Sequence, residues 1–537
     1  MKRGAIVHHL QEFSNSKDKD KDKEPRALFV DGSDDNGKKL DLQTFEAFCN
    51  QLASGLYHKT GVRQADVVAV ILPNSIFYPA IVLAVLMLGA TCTLVNPAYT
   101  AREIAHQMKD SGAKFAITTA ELHPNVAQAN PGLHAPNQIM VVEKAKADKN
   151  IMNDLLSIFD ILSEKAFPRV SWSEPEDARN DMPAFIPYSS GTTGMPKGVV
   201  LSHRNIIANI QQARSIQSNT QQHLKTSIAV LPMFHSFGLL FLCFLMPITG
   251  TSTVVMPKFE MSRFLHLIEK YKVTDAMLVP PIVNALVKMP EITTKYDLTS
   301  LFEIVVGAAP LSTKTIMAVE KQMPHVRVLQ GFGLTEGSPA ISLNQRDTRC
   351  IDSVGRLLPN IEAKVLDDQG HMLGPDEPGE LCFRGPNIML GYLNNPKETQ
   401  RTIDQDGFFH TGDIGYINKD QFVFITDRKK ELIKYNGFQI APAEIEGILM
   451  QHHMVRDCAV VGVFDEKRQT EVPKAFLVFE QPLTGEWAEE KDIWAKGVVD
   501  WVNGQVAYYK QLRGGYCVVE SIPRNPSGKI LRRMLKK

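Results

Sequence analysis

Short apolar runs alternate with longer segments of helical periodicity through the first part of this chain. Strand-like runs at 67–72, 91–95 and 114–120 are separated by helical segments at Ser75–Leu88 and Arg102–Ser111. Runs of four to eight apolar residues are typical of strands buried on both faces, and the helical segments have the length of crossovers between parallel strands. The pattern therefore predicts βαβ units and an α/β fold with a doubly wound sheet.

The same alternation of strand-like and helical segments recurs further along the chain. Apolar runs at 227–232, 275–280, 303–310 and 326–331 accompany a helical segment at Met261–Tyr271. This second series predicts a second doubly wound sheet.

From about Ile361 the sequence pattern changes. The segment EAKVLDDQGHMLGPDEPGELCFRG consists of short strand-like runs separated by turn residues, which is the spacing of β-hairpins. We expect a β-barrel-like element here that closes a large domain over residues 1–427. A charged segment at Asp427–Lys430 then precedes mixed strand and helix patterns. These patterns predict a small α+β domain over residues 428–537, with its boundary near Asp427–Lys430.

Charge and cysteine usage narrow the function classes. Lys plus Arg and Asp plus Glu both number 59, so the formal net charge is zero, which argues against nucleic acid as a partner. The seven cysteines are scattered and form no C-x-x-C pair, which argues against a disulfide framework or a zinc site. These features predict a reducing compartment, and we expect the cytoplasm.

The chain is predicted to have no integral membrane segment. The apolar stretch from Val67 is interrupted by Pro73 and Gly89, and FGLLFLCFLMPITG from Phe237 is too short to span a bilayer. The N-terminal apolar run is too short for a signal peptide, and the C-terminal LRRMLKK lacks a peroxisomal S-K-L address.

The stretch YSSGTTGMPKG at Tyr188–Gly198 concentrates glycine, hydroxyl side chains and one lysine. Backbone N–H groups, hydroxyls and an ammonium group all suit phosphate oxygens. It is not a Walker loop, because Pro196 precedes Lys197 and Gly198 follows it. An ordinary flexible surface loop is the alternative interpretation.

Three further Gly-rich or polar segments follow predicted strands. They are GAAPL at 307–311, QGFGLTEGSPA at 330–340 and HTGDIG at 410–415. Ligands of open α/β sheets bind beyond the carboxyl ends of the strands. Each segment alone is weak evidence, but together with the loop at Tyr188–Gly198 they favour one shared ligand site.

A set of motifs in fixed order strengthens this interpretation: SSGTTGMPKG, PMFHSFG, GAAPL, QGFGLTE, HTGDIG, DRKKELIKYNGFQIAPAEIE and PRNPSGKILRR. From about residue 45 onward the chain resembles the adenylate-forming superfamily of acyl- and aryl-CoA synthetases, luciferases and peptide-synthetase adenylation domains. It is most similar to the 4-coumarate–CoA ligase-like branch. The resemblance implies that residues 1–427 bind ATP and an acyl group, and that the domain at 428–537 is mobile.

The resemblance also implies a nucleotide site. Asp413 and Arg428 would hold the ribose, and Glu336 would hold Mg²⁺. Phe332 would stack on adenine, although the family usually has Tyr there, so the stacking surface is kept and one hydroxyl contact is lost. The remaining implied nucleotide ligands are Ser189, Ser190, Gly191, Thr192, Thr193, Gly194, Lys197 and Thr335 for phosphate, and Gly307, Ala308, Ala309, Gln330, Gly331 and Gly333 for adenine.

By the same resemblance, Lys529 bridges the attacking carboxylate and the α-phosphate. Rotation about Lys430 would then replace Lys529 with Lys434 and Gln439, and the route for CoA would be lined by Tyr435, Gly437 and Phe438. Asn436 stands where a Lys is common, which removes one cation from that route.

His235 is implied to line the acyl pocket and to control access between the two half-reactions; a buried, hydrogen-bonded structural histidine is the alternative. The other implied acyl contacts are Phe237, Gly238, Ser338, Pro339 and Ala340. No cation matches a second substrate charge, so the sequence leaves aryl propenoic acids, other aryl acids and medium-chain fatty acids open.

The function implied is an ATP- and Mg²⁺-dependent carboxylic acid–CoA ligase that forms an acyl-AMP, with a small-molecule acid, ATP and coenzyme A as partners. Three alternatives stay open. They are luciferase-like oxidation of the adenylate, transfer to a separate carrier protein, and nucleotide binding without turnover.

Overall fold

The fold is described from a computed structural model of the chain. It describes residues 26–129, 138–143, 155–168, 181–189, 196–216, 225–428, 431–435, 438–468, 470–480, 486–525 and 528–536, with the backbone alone at 427–428, 438–439 and 486–489.

The described strands and helices follow in chain order. The strands are β1 Ala27–Asp31, β2 Lys39–Asp41, β3 Val67–Val70, β4 Thr91–Leu94, β5 Phe115–Thr118, β6 Ile139–Val141, β7 Leu156–Ser157, β8 Pro183–Ser189, β9 Lys197–Ser202, β10 Thr226–Ala229, β11 Ser252–Val255, β12 Asp275–Leu278, β13 Glu303–Val306, β14 Arg327–Gly333, β15 Ala340–Leu343, β16 Arg356–Leu357, β17 Glu362–Leu366, β18 Gly379–Arg384, β19 Gly391–Tyr392, β20 Phe409–Ile417, β21 Val423–Arg428, β22 Ile433–Tyr435, β23 Phe438–Ile440, β24 Val455–Asp465, β25 Thr470–Phe479 and β26 Tyr516–Val518. The α-helices are Leu42–Gly55, Tyr78–Met87, Ala101–Ser111, His123–Ala129, His203–Ser215, Ser236–Gly238, Met246–Ile248, Met261–Tyr271, Pro280–Lys288, Pro290–Thr293, Thr313–Gln322, Pro396–Thr402, Pro442–Leu449 and Glu486–Asn503. Short π- or 3₁₀-helical turns lie at Leu56–Thr60, Leu239–Leu245, Thr335–Gly337, Tyr508–Lys510 and Arg532–Met534.

The first predicted sheet has eight strands in the order β19-β9-β8-β4-β3-β5-β6-β7. It is parallel from β8 to β7, with Val67 opposite Thr91 in the register of its central pair. Strands β8 and β9 form an antiparallel pair in which Ser189 lies opposite Lys197. Both arms of the Gly-rich loop are therefore anchored in a buried sheet.

The second sheet has nine strands in the order β16-β15-β14-β13-β12-β10-β11-β1-β2. Its parallel part runs from β14 to β1, and β1 comes from the N-terminal part of the chain. Strands β13 and β14 are neighbours, so the segments that follow them lie side by side. The predicted α/β fold with two doubly wound sheets is confirmed.

Both long apolar stretches form the core, as their interruptions predict. All residues of the helix Tyr78–Met87 and of the turn Leu239–Leu245 are buried, and they belong to one continuous apolar cluster between the sheets. Among the described residues, each helix is too short or too polar to cross a membrane. The helix begins at Tyr78 rather than at the predicted Ser75, because Ser75 takes part in a turn that receives the N–H of Tyr78.

The predicted β-barrel-like element is a four-stranded antiparallel sheet with the order β17-β18-β20-β21. Beyond it, the three-stranded sheet β24-β25-β26 packs against the helices Pro442–Leu449 and Glu486–Asn503, and β22 and β23 form a hairpin. The C-terminal part is therefore α+β, as the sequence predicts.

A buried histidine makes the stability of this fold depend on pH. His203, the first residue of the helix His203–Ser215, is 1% exposed, and burial lowers its pKa to about 4. The unfolded chain binds a proton near pH 6.5 while the folded chain does not, so stability falls as pH drops from about 6.5 towards 4. We expect this residue to account for about 1 kcal/mol of the stability lost between pH 7.5 and 5.5.

Chemical denaturation of wild type and His203→Gln at both pH values measures this contribution. The variant should show the smaller loss on acidification, whatever its stability at pH 7.5. His453→Gln, at an exposed position, serves as the control and should follow wild type. Equal losses in wild type and His203→Gln would contradict the assignment.

Candidate active site

One cavity of about 410 Å³ lies where the carboxyl ends of the two large sheets meet the third sheet and the C-terminal domain. The predicted site residues that line it are Ser189, Lys197, His235, Phe237, Gly307, Ala308, Gly331, Phe332, Gly333, Thr335, Glu336, Pro339, Ala340, Asp413 and Lys529. The segments that the sequence predicts to converge therefore do so.

The arms of the Gly-rich loop supply polar groups at one end of this cavity. The Ser189 hydroxyl donates to Glu336 Oε1 at 3.1 Å, and the Tyr392 hydroxyl donates to the same oxygen at 3.0 Å. Lys197 Nζ lies 2.5 Å from Glu398 Oε1 and 5.1 Å from the centre of the Tyr392 ring. Predicted phosphate ligands Ser190, Gly191, Thr192, Thr193 and Gly194 lie outside the described residues.

The carboxylate of Glu336 at this end suits one kind of metal. Mg²⁺ usually keeps several waters and takes one or two carboxylates together with phosphate oxygens. Glu336, held by two hydroxyl donors beside a lysine, fits that donor set.

Two neighbouring strands supply the flat apolar walls predicted for adenine. Gly307 and Ala308 follow β13, and Phe332 lies near the end of β14. A Cβ on Gly331 would lie 2.8 Å from a methyl of Leu343 in β15, so glycine allows β14 and β15 to pack closely. Ala308 has a φ of +70°, which turns the loop sharply at the cavity wall.

Two predicted adenine contacts, Ala309 and Gln330, do not line the cavity. The Gln330 side chain accepts from Leu311 N–H at 3.2 Å and donates to Ile351 O at 3.4 Å. The Gln330 side chain therefore connects the loop after β13 to β14. For Ala309 and Gln330, contact with adenine stays a prediction.

Asp413 lies in the third sheet and is 3% exposed. Its N–H donates to Thr411 Oγ1 at 2.9 Å, while Gly412, with a φ of +69°, donates to Glu380 Oε1 at 3.1 Å. These bonds fix the turn that brings the carboxylate to the cavity wall. Arg428 lies opposite Asp413 in the β20–β21 ladder, where the structure describes its backbone.

Aromatic and aliphatic side chains form the opposite, acyl end of the cavity. The rings of Phe237 and Phe241 meet edge to face with centroids 5.3 Å apart. A Cβ on Gly307 would lie 3.2 Å from the Phe237 ring, so the passage between them is narrow and flat. Pro339 and Ala340 complete the wall, and Val305 and Leu343, which the sequence did not single out, also line the cavity.

Two predicted acyl contacts, Gly238 and Ser338, are buried and do not line the cavity. A Cβ on Gly238 would lie 2.2 Å from Pro232 O, so this glycine permits close packing of two loops. Ser338 is 1% exposed, so it is almost entirely enclosed by protein. For both residues, contact with the acyl group stays a prediction.

The protonation of His235 follows from its hydrogen bond. The Phe237 N–H donates to His235 Nδ1 at 3.4 Å, so the ring proton of the neutral form lies on Nε2. Burial lowers the pKa of His235 to about 4, and the ring is therefore uncharged near neutral pH. An uncharged N–H donor thus lines the cavity.

A loop of the C-terminal domain brings Lys529 into the cavity. The Lys529 N–H donates to Asn525 Oδ1 at 2.8 Å, and Gly528 adopts a φ of +84°. Arg524 donates to Gly528 O at 2.8 Å and pairs with Asp457 at 2.7 Å. The lysine backbone is therefore fixed from both sides.

The other predicted catalytic lysine lies elsewhere. Lys434 is exposed on the β22–β23 hairpin, where its N–H donates to Glu471 Oε2 at 2.8 Å, and neither it nor Tyr435 lines the cavity. The structure describes the backbone of Phe438 and Gln439, whereas Lys430 and Gly437 lie outside the described residues.

Several lining residues were missed by the sequence interpretation. Among them are Tyr392 and Glu398, which lie outside the recognised motifs, Glu380, which lies in the predicted β-barrel-like element, and Asn525, which lies within PRNPSGKILRR. The only signal for Asn525 was its place next to the PSGK motif.

Contacts between the domains maintain this arrangement. Lys288 forms an ion pair of 3.0 Å with Glu480 and also donates to Val455 O, and Lys314 donates to Gln451. These contacts hold the C-terminal domain where Lys529 reaches the cavity.

Residues 17–393 match the AMP-binding enzyme family, and residues 444–529 match the AMP-binding enzyme C-terminal domain. The chain is 38% identical over 499 residues to a probable 4-coumarate–CoA ligase 1 of Dictyostelium discoideum, covering 90% of this chain and 88% of the relative. It is also 38% identical over 517 residues to the peroxisomal OPC-8:0-CoA ligase 1 of Arabidopsis thaliana, covering 95% and 90%.

Among solved structures, the fold is similar to that of o-succinylbenzoate–CoA synthetase from Bacillus subtilis in complex with ATP and magnesium ion. The TM-score is 0.80 at 25% identity, covering 98% of this chain and 99% of that one.

Proposed function

This chain belongs to the AMP-binding enzyme family, and from that premise we propose the residue roles, the metal and the acid class of its reaction. It is an ATP-dependent carboxylic acid–CoA ligase, like the CoA ligases of Dictyostelium and Arabidopsis to which it is similar over most of its length. ATP and coenzyme A are its co-substrates.

The observation that carries the proposal is the convergence of four groups on one cavity. Lys529, Asp413, Glu336 and His235 all line it, although they come from separate parts of the fold. A cation, a ribose acceptor, a metal-binding carboxylate and a neutral donor are the groups that adenylation of a carboxylic acid requires.

In the first half-reaction, a carboxylate oxygen of the acid attacks the α-phosphorus of ATP. The new C–O–P linkage forms as the bond to the β-phosphate breaks, and pyrophosphate leaves. Lys529 neutralises the negative charge shared by the two reacting anions, which otherwise repel each other. Asp413 orients the ribose, Phe332 stacks on adenine, and Lys197 binds the phosphates. Mg²⁺, when bound at Glu336, neutralises charge on the phosphate oxygens.

In the second half-reaction, the thiol sulfur of coenzyme A attacks the acyl carbonyl as the thiol loses its proton. The C–S bond forms, the C–O bond to phosphate breaks, and AMP leaves. We assign this step to a rotation of the domain at 428–537 about Lys430, which exchanges Lys529 for Lys434 and Gln439. His235 faces the carbonyl as an uncharged donor in both steps.

The acid carries no charge beyond its reacting carboxylate, and the rest of it is flat or apolar. Phe237, Phe241, Val305 and Leu343 line the acyl end, and the described lining residues there include no lysine or arginine. A second carboxylate would be buried without a counter-charge at a large cost. Aryl propenoic acids and medium-chain fatty acids satisfy this condition. A carrier protein is not needed as acceptor. The scattered cysteines predict a reducing compartment, and this supports a cytoplasmic location.

Pyrophosphate release across a panel of aryl and fatty acids, with and without coenzyme A, tests the proposal. We expect release to depend on an acid with a single carboxylate and no other charge, to require a divalent cation and to accelerate with coenzyme A. Dicarboxylic analogues of the best acid serve as matched controls and should be poor substrates.

Two results would overturn parts of the proposal. Acid-dependent pyrophosphate release whose rate does not change with coenzyme A would contradict the thiol step. Equal rates with an acid and its dicarboxylic analogue would remove the assignment of the acyl pocket.

A further inference from the structure

A carboxylate lies at the phosphate end of the cavity, where the substrate is strongly negative. Glu398 Oε1 is 2.5 Å from Lys197 Nζ, and each of the two side chains is 25% exposed. Arg401, one helical turn further on, lies 4.0 Å from the other carboxylate oxygen of Glu398 and is 76% exposed. All three residues line the cavity.

The position of this carboxylate is fixed by local structure. Glu398 lies in the first turn of the helix Pro396–Thr402, and its N–H donates to the capping side chain of Asn395 at 3.1 Å. The next residue, Thr399, accepts the Tyr392 N–H at 2.9 Å. The helix is thereby fastened to β19, and a first-turn acid is favourable there.

Helix capping explains why an acid is tolerated at this position, but it does not explain where the side chain points. A first-turn carboxylate could face solvent, whereas that of Glu398 faces a lysine 201 residues away in sequence. Lys197 is also connected to Glu336 through Tyr392, since its ammonium group lies 5.1 Å from the centre of the Tyr392 ring and the Tyr392 hydroxyl donates to Glu336. The pair therefore joins the phosphate-binding lysine to a fixed anion.

We propose that Glu398 is a positioning residue that weakens the hold of the phosphate end on ATP and on pyrophosphate. This inference rests on the proposed function, in which Lys197 binds phosphate. Before ATP enters, Lys197 is paired with Glu398, so phosphate must compete for the ammonium group. After the α–β bond has broken, Glu398 recovers Lys197 and repels pyrophosphate.

The functional consequence concerns reversibility. Retained pyrophosphate attacks the acyl-AMP and regenerates ATP, so its rapid departure commits the adenylate to the thiol step. Glu398 thus lowers the affinity for ATP and, by promoting the departure of pyrophosphate, favours the forward reaction. Its effect should appear on the ligands that carry β- and γ-phosphates, and not on the acid or on coenzyme A.

Glu398→Gln is the informative variant, because it removes the charge while keeping the size and the helix. We expect the KM for ATP and the inhibition constant for pyrophosphate each to fall about threefold to tenfold, as for a partly exposed ion pair. The KM values for the acid and coenzyme A should not change, and kcat should stay level or fall as pyrophosphate release slows. Glu398→Ala should show the same direction.

Two controls separate this role from general effects of charge or folding. Glu362→Gln makes the same substitution in an exposed ion pair with Arg384, remote from the cavity, and should leave both constants unchanged. In a Lys197→Ala background, Glu398→Gln should lose most of its effect on the KM for ATP, since the partner that it competes for is absent.

The inference is overturned if Glu398→Gln raises the KM for ATP, or if it leaves pyrophosphate inhibition unchanged. Calorimetric binding of ATP and of pyrophosphate to wild type and variant, without any acid, gives the same comparison independently of the substrate. A wild type that binds ATP but releases no pyrophosphate with any acid would count against the proposed function and not against the role of Glu398.

Discussion

Lys529→Ala is expected to lower acyl-adenylate formation by about 100- to 1000-fold, comparable to removal of one donor that stabilises charge in a transition state. Thioester formation from supplied acyl-AMP and coenzyme A should continue near the wild-type rate. Acid-dependent pyrophosphate release measures the first reaction, and chromatography of the acyl-CoA product measures the second.

The size of this effect follows from the geometry of the loop. Lys529 is held at its backbone by Asn525, and the loop is fastened through Arg524 to Asp457, so its side chain enters the cavity in a defined position. Among the described lining residues, Lys529 is the one lysine or arginine that comes from the C-terminal domain, while Lys197 is paired with Glu398. Solvent cannot replace a charge fixed between two anions.

Lys536→Ala provides the matched control, because it removes an exposed lysine from the same C-terminal segment. It should leave both half-reactions unchanged. If Lys529→Ala reduced the two half-reactions equally, the residue would have a structural role and the assignment would be wrong.

The sequence predicts the layered architecture well because buried parallel strands need apolar residues on both faces. That requirement is visible at 67–72 and 303–310 without knowledge of the fold. The order of strands is not local information. The chain alone does not show that β1 joins the second sheet, or that β9 pairs with β19 across the first.

The same limit applies to the cavity, where some residues could be identified from the sequence and others could not. Motif residues such as Asp413 and Phe332 could be found because several Gly-rich or polar segments occur together in the order of the family's motifs, although each segment alone is weak evidence. Gln330 and Gly238 stand within such motifs but act in packing, and only the tertiary contacts separate the two roles. Glu398 gives no signal, since an acid in the first turn of a helix is common.

The proposed rotation, which exchanges Lys529 for Lys434 in the cavity, requires contacts between the two domains to break. Lys288 bonds to Glu480 and to Val455 O, and Lys314 bonds to Gln451, in the arrangement that places Lys529 in the cavity. Such polar, partly exposed pairs contribute little each, so they define a position without locking it. A domain held in this way can leave it during each catalytic cycle.

Lys434→Ala is accordingly expected to have the opposite effect to Lys529→Ala. Adenylation should stay at the wild-type rate, because the Lys434 side chain is exposed and does not line the cavity in the arrangement that contains Lys529. Thioester formation from supplied acyl-AMP should fall about 100-fold, the scale of a lost positioning contact. Stopped assays of acyl-CoA and of pyrophosphate on the same variant measure both.

Folding does not confound this result. Lys434 is the outward residue of a strand whose neighbours Ile433 and Tyr435 are buried, and exposed substitutions of this kind change stability by about 0.5 kcal/mol or less. Lys467→Ala, exposed on the same domain, is the control and should leave both steps intact. If Lys434→Ala left thioester formation unchanged, the second arrangement of the domains would not use this hairpin, and the route for coenzyme A would have to be sought on another face.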